Sequence, residues 1–338
     1  MHEKSKNKIR RSVLAFCSAL LLLGGSSALA ADTTGQGTAR MLIPVGHTVG
    51  IKMYARGVLV VGLPDGATPA RQGGLETGDV ILECSGTAVT SSEQFQTMLQ
   101  SSGGRAVELQ IRRNSACRTI EVTPAENEQG VYAIGAWIRD SMAGIGTITY
   151  YDPETGQFGA LGHGINDVDT AQLIPFSTGT ILPSTVKAVK KGTCGSAGQL
   201  KGDFELSAEL GTLYANTACG IFGRTNALAA SGEAIPTASA DEIRTGPAVI
   251  RCNVAGDDVR EYQVEIKQLF ENASDPRDML LEVTDPELLS LTGGIVQGMS
   301  GSPIIQDGKL IGAVTHVLVN DPTRGYGIFI ENMLDAAA

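Results

Sequence analysis

The chain has 338 residues, with 26 Lys and Arg against 36 Asp and Glu and a net charge of −10. That length exceeds what one hydrophobic core usually organises, so two folded units are expected, and the acidic balance disfavours nucleic acid or an anionic membrane surface as a partner. Glycine makes up 42 residues, about 12% against a typical ~7%, which points to many tight turns between short strands.

The N-terminus reads as an export signal. Lys4, Lys6, Lys8, Arg10 and Arg11 precede the apolar run Val13 to Leu23, and Ala28-Leu29-Ala30 offers small residues to a signal peptidase. Ser12 to Ala31 carries no charge over about the 20 residues that a bilayer helix needs, so residues 1–31 are a cleaved signal or a retained anchor. Either way the bulk of the chain is expected outside the cytoplasm. Without that segment 21 cations face 35 anions, a net −14. Cys17 falls within it. The other cysteines, Cys84, Cys117, Cys194, Cys219 and Cys252, form no C-x-x-C pair that would suggest zinc or a redox centre. Cys194 with Cys219 is one conceivable bridge, and buried free thiols are the other expectation.

Residues 32–50 are expected to be a linker. From Ile51 to Thr123, strand-like runs alternate with turns: "GVLVVG", "GDVILEC", "AVELQIRR" and "CRTIEV". One helix interrupts them. Ser91 followed by Gln94 makes a capping box, and Phe95, Met98 and Leu99 at i, i+3, i+4 give that helix an apolar face. The order of these elements, with "GGLETGDVILECSGTAV" at Gly73 to Val89, resembles the PDZ domain in its bacterial, protease-associated form, a small α/β sandwich over 51–123. In that family an extended peptide adds as a strand to the sheet edge beside the helix. The resemblance makes Arg56, Gly57, Val58 and Leu59 the receiving loop and strand; the alternative is an ordinary core strand.

Pro124 to Tyr132, "PAENEQGVY", is polar and turn-prone and is expected to link the domains. Over 133–338, short strands and glycine turns with few helical stretches favour a β-barrel or sandwich. Asp307-Gly308 between apolar runs predicts a tight hairpin pairing Pro303 to Gln306 with Lys309 to Val317.

Just before that hairpin stands "GIVQGMSGSPIIQDGKLIGAVTH", Gly294 to His316. A serine hydroxyl is a poor nucleophile unless a base takes its proton, and acyl transfer needs N–H donors converging on the oxyanion. Gly298 and Gly301 permit the backbone torsions and the close approach that would let the N–H groups of Gly298 and Ser300 serve as those donors. A glycine bend entering a hairpin would satisfy the same string, so a base must discriminate. His2 lies in the export segment and His47 before the first domain, which leaves His163, ending a predicted strand in "FGALGHGI", and His316, in the strand after the Asp-Gly turn.

The strings "IRDSMAGIGTITYYDPETGQFGALGHGI", "GTLYANTACGIFG" and "VTDPELLSLTGGIVQGMSGSPIIQDGKLIGAVTHVLVNDPTRGYGIFIE" closely resemble the stage IV sporulation protein B serine peptidases of endospore-forming bacteria. "GMSGSP" also looks like the nucleophile loop of chymotrypsin-like peptidases. The resemblance implies a mainly β fold, a PDZ domain followed by a chymotrypsin-like β-barrel peptidase domain. It makes Ser300 the nucleophile, His163 the general base, and Asp285 in "VTDPELL" the carboxylate that orients the imidazole. Asp285 lies only fifteen residues before Ser300, whereas a two-barrel enzyme draws its acid from far upstream. Asp167, Asp169, Asp203 and Asp241 are therefore alternatives, and Asp285 itself suits a helix cap. His316 either lines the pocket for the substrate side chain or is a core histidine. "VKAVKK", Val186 to Lys191, reads as an exposed face.

The resemblance further implies cleavage of a membrane-bound regulator in the space around the forespore. That releases an intramembrane protease and activates a late sigma factor; self-cleavage near the N-terminus is implied as well. The expected partners are this regulator and a PDZ-bound peptide, from another protein or from the chain itself. Neither ligand spacing nor a phosphate-cradling loop suggests a metal or an organic cofactor. Two other readings are a noncatalytic PDZ adaptor and a general envelope quality-control protease.

Overall fold

The computed structural model describes residues 39–228, 232–270 and 277–338, so the expected export segment lies outside the described residues. Strands β1 (Met41–Pro44) and β2 (Thr48–Gly62) come first. They are followed by β3 (Val80–Cys84), helix α1 (Ser92–Ser102), β4 (Val107–Arg113) and β5 (Ala116–Val122). Next come β6 (Trp137–Tyr151), β7 (Gln157–Ala160), β8 (Phe176–Lys190), β9 (Gln199–Phe204), β10 (Gly211–Thr217) and β11 (Gly220–Arg224). The last part holds β12 (Gly246–Cys252), β13 (Arg260–Leu269), β14 (Met279–Val283) and helix α2 (Pro286–Thr292). It closes with β15 (Pro303–Gln306), β16 (Lys309–Val317), β17 (Arg324–Phe329) and helix α3 (Ile330–Ala337). Among the described residues no helix is long and apolar enough to cross a membrane.

Two rings of antiparallel strands make the peptidase body. In the first, β6 pairs with β7, β7 with β11, β11 with β10, β10 with β8, β8 with β2, and β2 returns to β6. The second is a closed barrel in the order β12, β13, β14, β17, β16, β15. Its β15–β16 hairpin turns through Asp307 and Gly308, both at positive φ, with Gln306 opposite Lys309, as the Asp-Gly pair predicts.

The PDZ unit grows out of the first ring rather than hanging from it. Val58 and Leu59 of β2 pair with β3, which pairs with β4, which pairs with β5. Strand β4 alternates as its sequence demands, with Val107, Leu109 and Ile111 inward on a core shared with Phe95 and Leu99 of α1. Ser91 caps α1 by accepting the Gln94 N–H at 3.1 Å, but the Gln94 carboxamide reaches Thr90 N–H instead of the cap residue's own.

Residues 39–50 do not behave as the expected linker. They form β1 and the start of β2, and Ile51, Met53 and Ala55 continue the buried side of that strand while Lys52, Tyr54 and Arg56 face outward. A strand of alternating polarity gains more by closing a barrel than by spanning solvent. Within the polar stretch Pro124 to Tyr132, Ala125–Glu126 pair with Tyr132–Ala133 in a short ladder. The five described cysteines are unpaired thiols, Cys84 and Cys252 buried, so no bridge joins Cys194 to Cys219.

Candidate active site

Ser300 sits in the loop between α2 and β15, on the second barrel, and His163 follows β7, on the first. Both open into one cavity of about 360 Å³, which is also lined by Met142 to Ile145, Gln297, Gly298 and His316. A larger hollow of about 690 Å³ outside the second barrel contains neither serine nor histidine. Size therefore does not mark the site; chemistry does.

The backbone of the nucleophile loop can be accounted for group by group. The carbonyl of Gln297 accepts from Leu200 N–H at 2.8 Å and that of Gly298 from Thr147 Oγ1 at 2.8 Å. The carbonyl of Met299 accepts from both Ser302 N–H at 2.9 Å and Ser302 Oγ at 2.7 Å, and that of Ser300 from Thr147 N–H at 3.0 Å. The N–H groups of Gln297, Met299 and Gly301 donate to Gly198, Val296 and Val314. Among the described residues, two N–H groups between Gln297 and Ser302 remain without an acceptor, those of Gly298 and Ser300.

Peptide planarity then aims them. In a trans peptide the N–H points opposite to the preceding carbonyl, so fixing Gln297 C=O on β9 turns Gly298 N–H away from β9. Holding Met299 C=O with two donors from Ser302 does the same for Ser300 N–H. Two idle donors on residues that line a cavity beside a serine are what an acyl-transfer oxyanion requires. Gly301 must be glycine, because at φ +97 a Cβ would overlap Thr147 O and Leu161 N, which are hydrogen-bonded to each other.

His163 holds its Nδ1 2.8 Å from the carbonyl of Gly164. A carbonyl only accepts, so Nδ1 carries the proton and Nε2 keeps its lone pair for a donor hydroxyl. Burial pushes the imidazole below the ordinary histidine value, with the Gly164 bond pulling weakly the other way. Its ring lies 5.0 Å, centroid to centroid, from that of His316. Ser300 Oγ donates to the carbonyl of Thr315 at 2.7 Å, a resting arrangement from which rotation about one side-chain torsion would redirect the hydroxyl.

The structure thus brings Ser300, His163, Gly298 and His316 together. It does not bring Asp285 to them. Asp285 is the N-cap of α2: Oδ1 accepts from Glu287 N–H at 2.9 Å and Leu288 N–H at 3.0 Å, and Oδ2 from Gln263 N–H at 3.2 Å. With both oxygens occupied on the second barrel, the expected relay acid is a structural cap, and no carboxylate among the described residues lines the cavity. Asp167 is buried and bonded to Arg139 and to the Asp169 and Thr170 N–H groups, while Asp203 and Asp241 are exposed. Arg56 to Leu59 lie inside the sheet: Leu59 pairs with Val80 on one side and Arg139 on the other, Val58 pairs with Ile81, and Arg56 N–H donates to Pro175 O. Thr147 and Ser302 were invisible in the sequence reading. Both are fully buried, and neither carries a motif that distinguishes it from a core residue.

Two family models match the chain in this order of parts. The family model described as SpoIVB peptidase S55 matches residues 130–334, and a PDZ domain model matches residues 46–123. A Clostridium perfringens protein named as a zinc metalloprotease is 35% identical over 68 residues, 20% of this chain and 20% of its own. The chain thus spans about a fifth of the length of that curated relative. The PDZ domain of the SdrC-like protein of Listeria monocytogenes is 27% identical, over 25% of this chain and 87% of its own, with a TM-score of 0.23. A protease of M. tuberculosis in its active form is 14% identical over 58% of this chain and 72% of its own, with a TM-score of 0.32.

Two outcomes follow from the geometry. Thr147→Val, which keeps the shape and removes the hydroxyl on Gly298 C=O, is expected to lower kcat about 10-fold with little change in KM, and Thr147→Ser to restore it; equal effects of both variants would refute the role. Asp285→Ala should cost about 1–2 kcal/mol in a urea titration, as loss of a cap does, while kcat/KM stays within about threefold of the parent. A drop approaching the roughly 10⁴-fold typical of a lost relay carboxylate would instead restore Asp285 to the catalytic machinery.

Proposed function

Because the chain belongs to the SpoIVB peptidase S55 family, we propose that it is an exported signalling endopeptidase that works in the space around the developing forespore. It is a serine peptidase that carries a PDZ domain. Its target in this reading is a membrane-bound regulator of an intramembrane protease, whose cleavage leads to activation of a late sigma factor. The enzyme also trims its own N-terminal segment.

In the proposed mechanism Ser300 Oγ leaves the Thr315 carbonyl, gives its proton to His163 Nε2 and bonds to the substrate carbonyl carbon. The carbonyl oxygen becomes an anion held by the N–H groups of Gly298 and Ser300. His163 passes the proton to the departing amine as the C–N bond breaks, and water, deprotonated by the same ring, releases the acyl group. One observation carries this assignment: among the described residues, the two N–H groups between Gln297 and Ser302 without an acceptor belong to Gly298 and Ser300, which line the cavity shared with His163. A noncatalytic adaptor would have no use for that arrangement.

Ser300→Ala is expected to abolish removal of the N-terminal segment, read by mass spectrometry, and to slow peptide hydrolysis at least about 10³-fold; processing and turnover that persist would eliminate the serine mechanism. The pH profile gives an independent check. A base whose pKa is lowered by burial is already neutral below the ordinary value, so the acidic limb of kcat/KM is expected to have its midpoint below about 6.5. A midpoint above about 7 would mean that an unrecognised carboxylate raises His163.

A further inference from the structure

Peptide addition to a sheet needs main-chain groups that no strand has taken. The predicted receiving stretch lies inside the sheet, whereas β6 has an open edge. Ile148 N–H donates to His47 O and its carbonyl accepts from Gly46 N–H, so even-numbered residues of this strand turn toward β1 and β2. Thr147 turns the other way, with its N–H on Ser300 O and its carbonyl on Leu161 N–H. Alternation along the strand therefore points the main-chain groups of Ile145, Ala143 and Ser141 away from β2, and it ends at the register shift beside Asp140, beyond which Arg139 faces Leu59. Among the described residues, no strand pairs with that edge between Ser141 and Ile145.

The two ends of this edge lie in different places. Met142 to Ile145 form a wall of the cavity that holds Ser300 and His163. Toward its start the strand runs beside the PDZ helix, where Asp140 Oδ2 accepts Ser92 N–H at 2.7 Å and Tyr132, just upstream, exchanges hydrogen bonds with Gln96 and Gln100. Trp137, 63% exposed, stands there with most of its ring uncovered.

We infer that a single extended segment of the substrate adds to β6 from the catalytic cavity to helix α1, so that cleavage and recognition beside the PDZ helix share one strand. The inference rests on the peptidase reading above and specifies its substrate: a chain with an unfolded stretch of about five residues on one side of the cleaved bond, the span from Ile145 to Ser141, next to the Asp140 that caps α1, being roughly 13 Å. Every ladder in this sheet is antiparallel, the commoner pairing. A peptide antiparallel to β6 runs from the cavity toward α1. The recognised segment therefore follows the scissile bond, with its leaving amine over His163.

The test uses the full chain and synthetic peptides identical up to the scissile bond. Peptides that continue about five residues beyond the bond are expected to be cleaved with kcat/KM at least about 10-fold above peptides that stop two residues beyond it, mainly through KM. N-methylation of alternate amides in the extension should cost about 2- to 10-fold each, and methylation of the intervening amides nothing comparable. Ser141→Pro removes one outward N–H that the β2 ladder does not use, and is expected to lower the ratio of long- to short-peptide kcat/KM. Equal cleavage of long and short peptides, a gain from extension only before the bond, or methylation effects without alternation would each overturn the inference. Failure of the catalytic reading is a different result: short peptides would then be cleaved as well by Ser300→Ala as by the parent.

Discussion

Thr147 ties the two barrels together at the point where chemistry is expected. Its N–H holds Ser300 O, its hydroxyl holds Gly298 O, and its carbonyl holds Leu161 N–H, two residues before His163. A strand residue normally spends these groups on a neighbouring strand. Here they are spent on the nucleophile loop from one barrel and the histidine loop from the other, so the separation of Ser300 from His163 is set by one rigid residue rather than by two flexible loops. Gly301 and Gly162 are both shaped to this junction: a Cβ at the first would enter the Thr147–Leu161 bond, and one at the second would press on Thr315 and Ile328. Precise placement matters because small errors in the attacking geometry are costly.

The same economy links the PDZ unit to the peptidase body. β2 and β6 are long strands whose facing halves close the first barrel at one end and extend the PDZ sheet at the other. A shared pair of strands transmits position more faithfully than a linker, because its main-chain ladder must break before the two ends can move independently. Recognition beside α1 and cleavage at Ser300 are thus held in fixed register.

Much of this was legible in the sequence, for reasons that differ by residue. The serine between glycines and the scarcity of histidines left Ser300 with His163 or His316, because chemistry limits which side chains can act, and the family resemblance chose between the two. The capped helix and the Asp-Gly hairpin were readable from local turn chemistry. Asp285 was misplaced although its own signature was local: Asp, then Pro at the first helical position, then Glu in the first turn, is an N-cap sequence. Thr147 could not be found this way. Its bond to Gly298 spans 151 positions, and nothing in a buried strand threonine announces such a contact. The double pairing of β2 was hidden for the same reason, since sequence patterns show that a strand forms but not what lies on its second edge.

An imidazole oriented by a carbonyl differs energetically from one oriented by a carboxylate. Gly164 O fixes the tautomer as well as an acid would, but it supplies a dipole where the imidazolium formed during acyl transfer would gain from a full negative charge, and charge-assisted bonds are roughly twice as strong. Burial works in the same direction, favouring the neutral ring. In the proposed mechanism the base is therefore weak, and the proton transfer it must accept is less favourable than in a complete relay. What compensates has to come from elsewhere in the complex. Two preset N–H donors stabilise the anion, and pairing along β6 would let binding energy from residues far from the bond hold the scissile carbonyl in place. An enzyme built this way gains little from a short, unpaired peptide and much from a chain that can lie along the strand, which suits a protease with one designated target better than one that degrades whatever is unfolded.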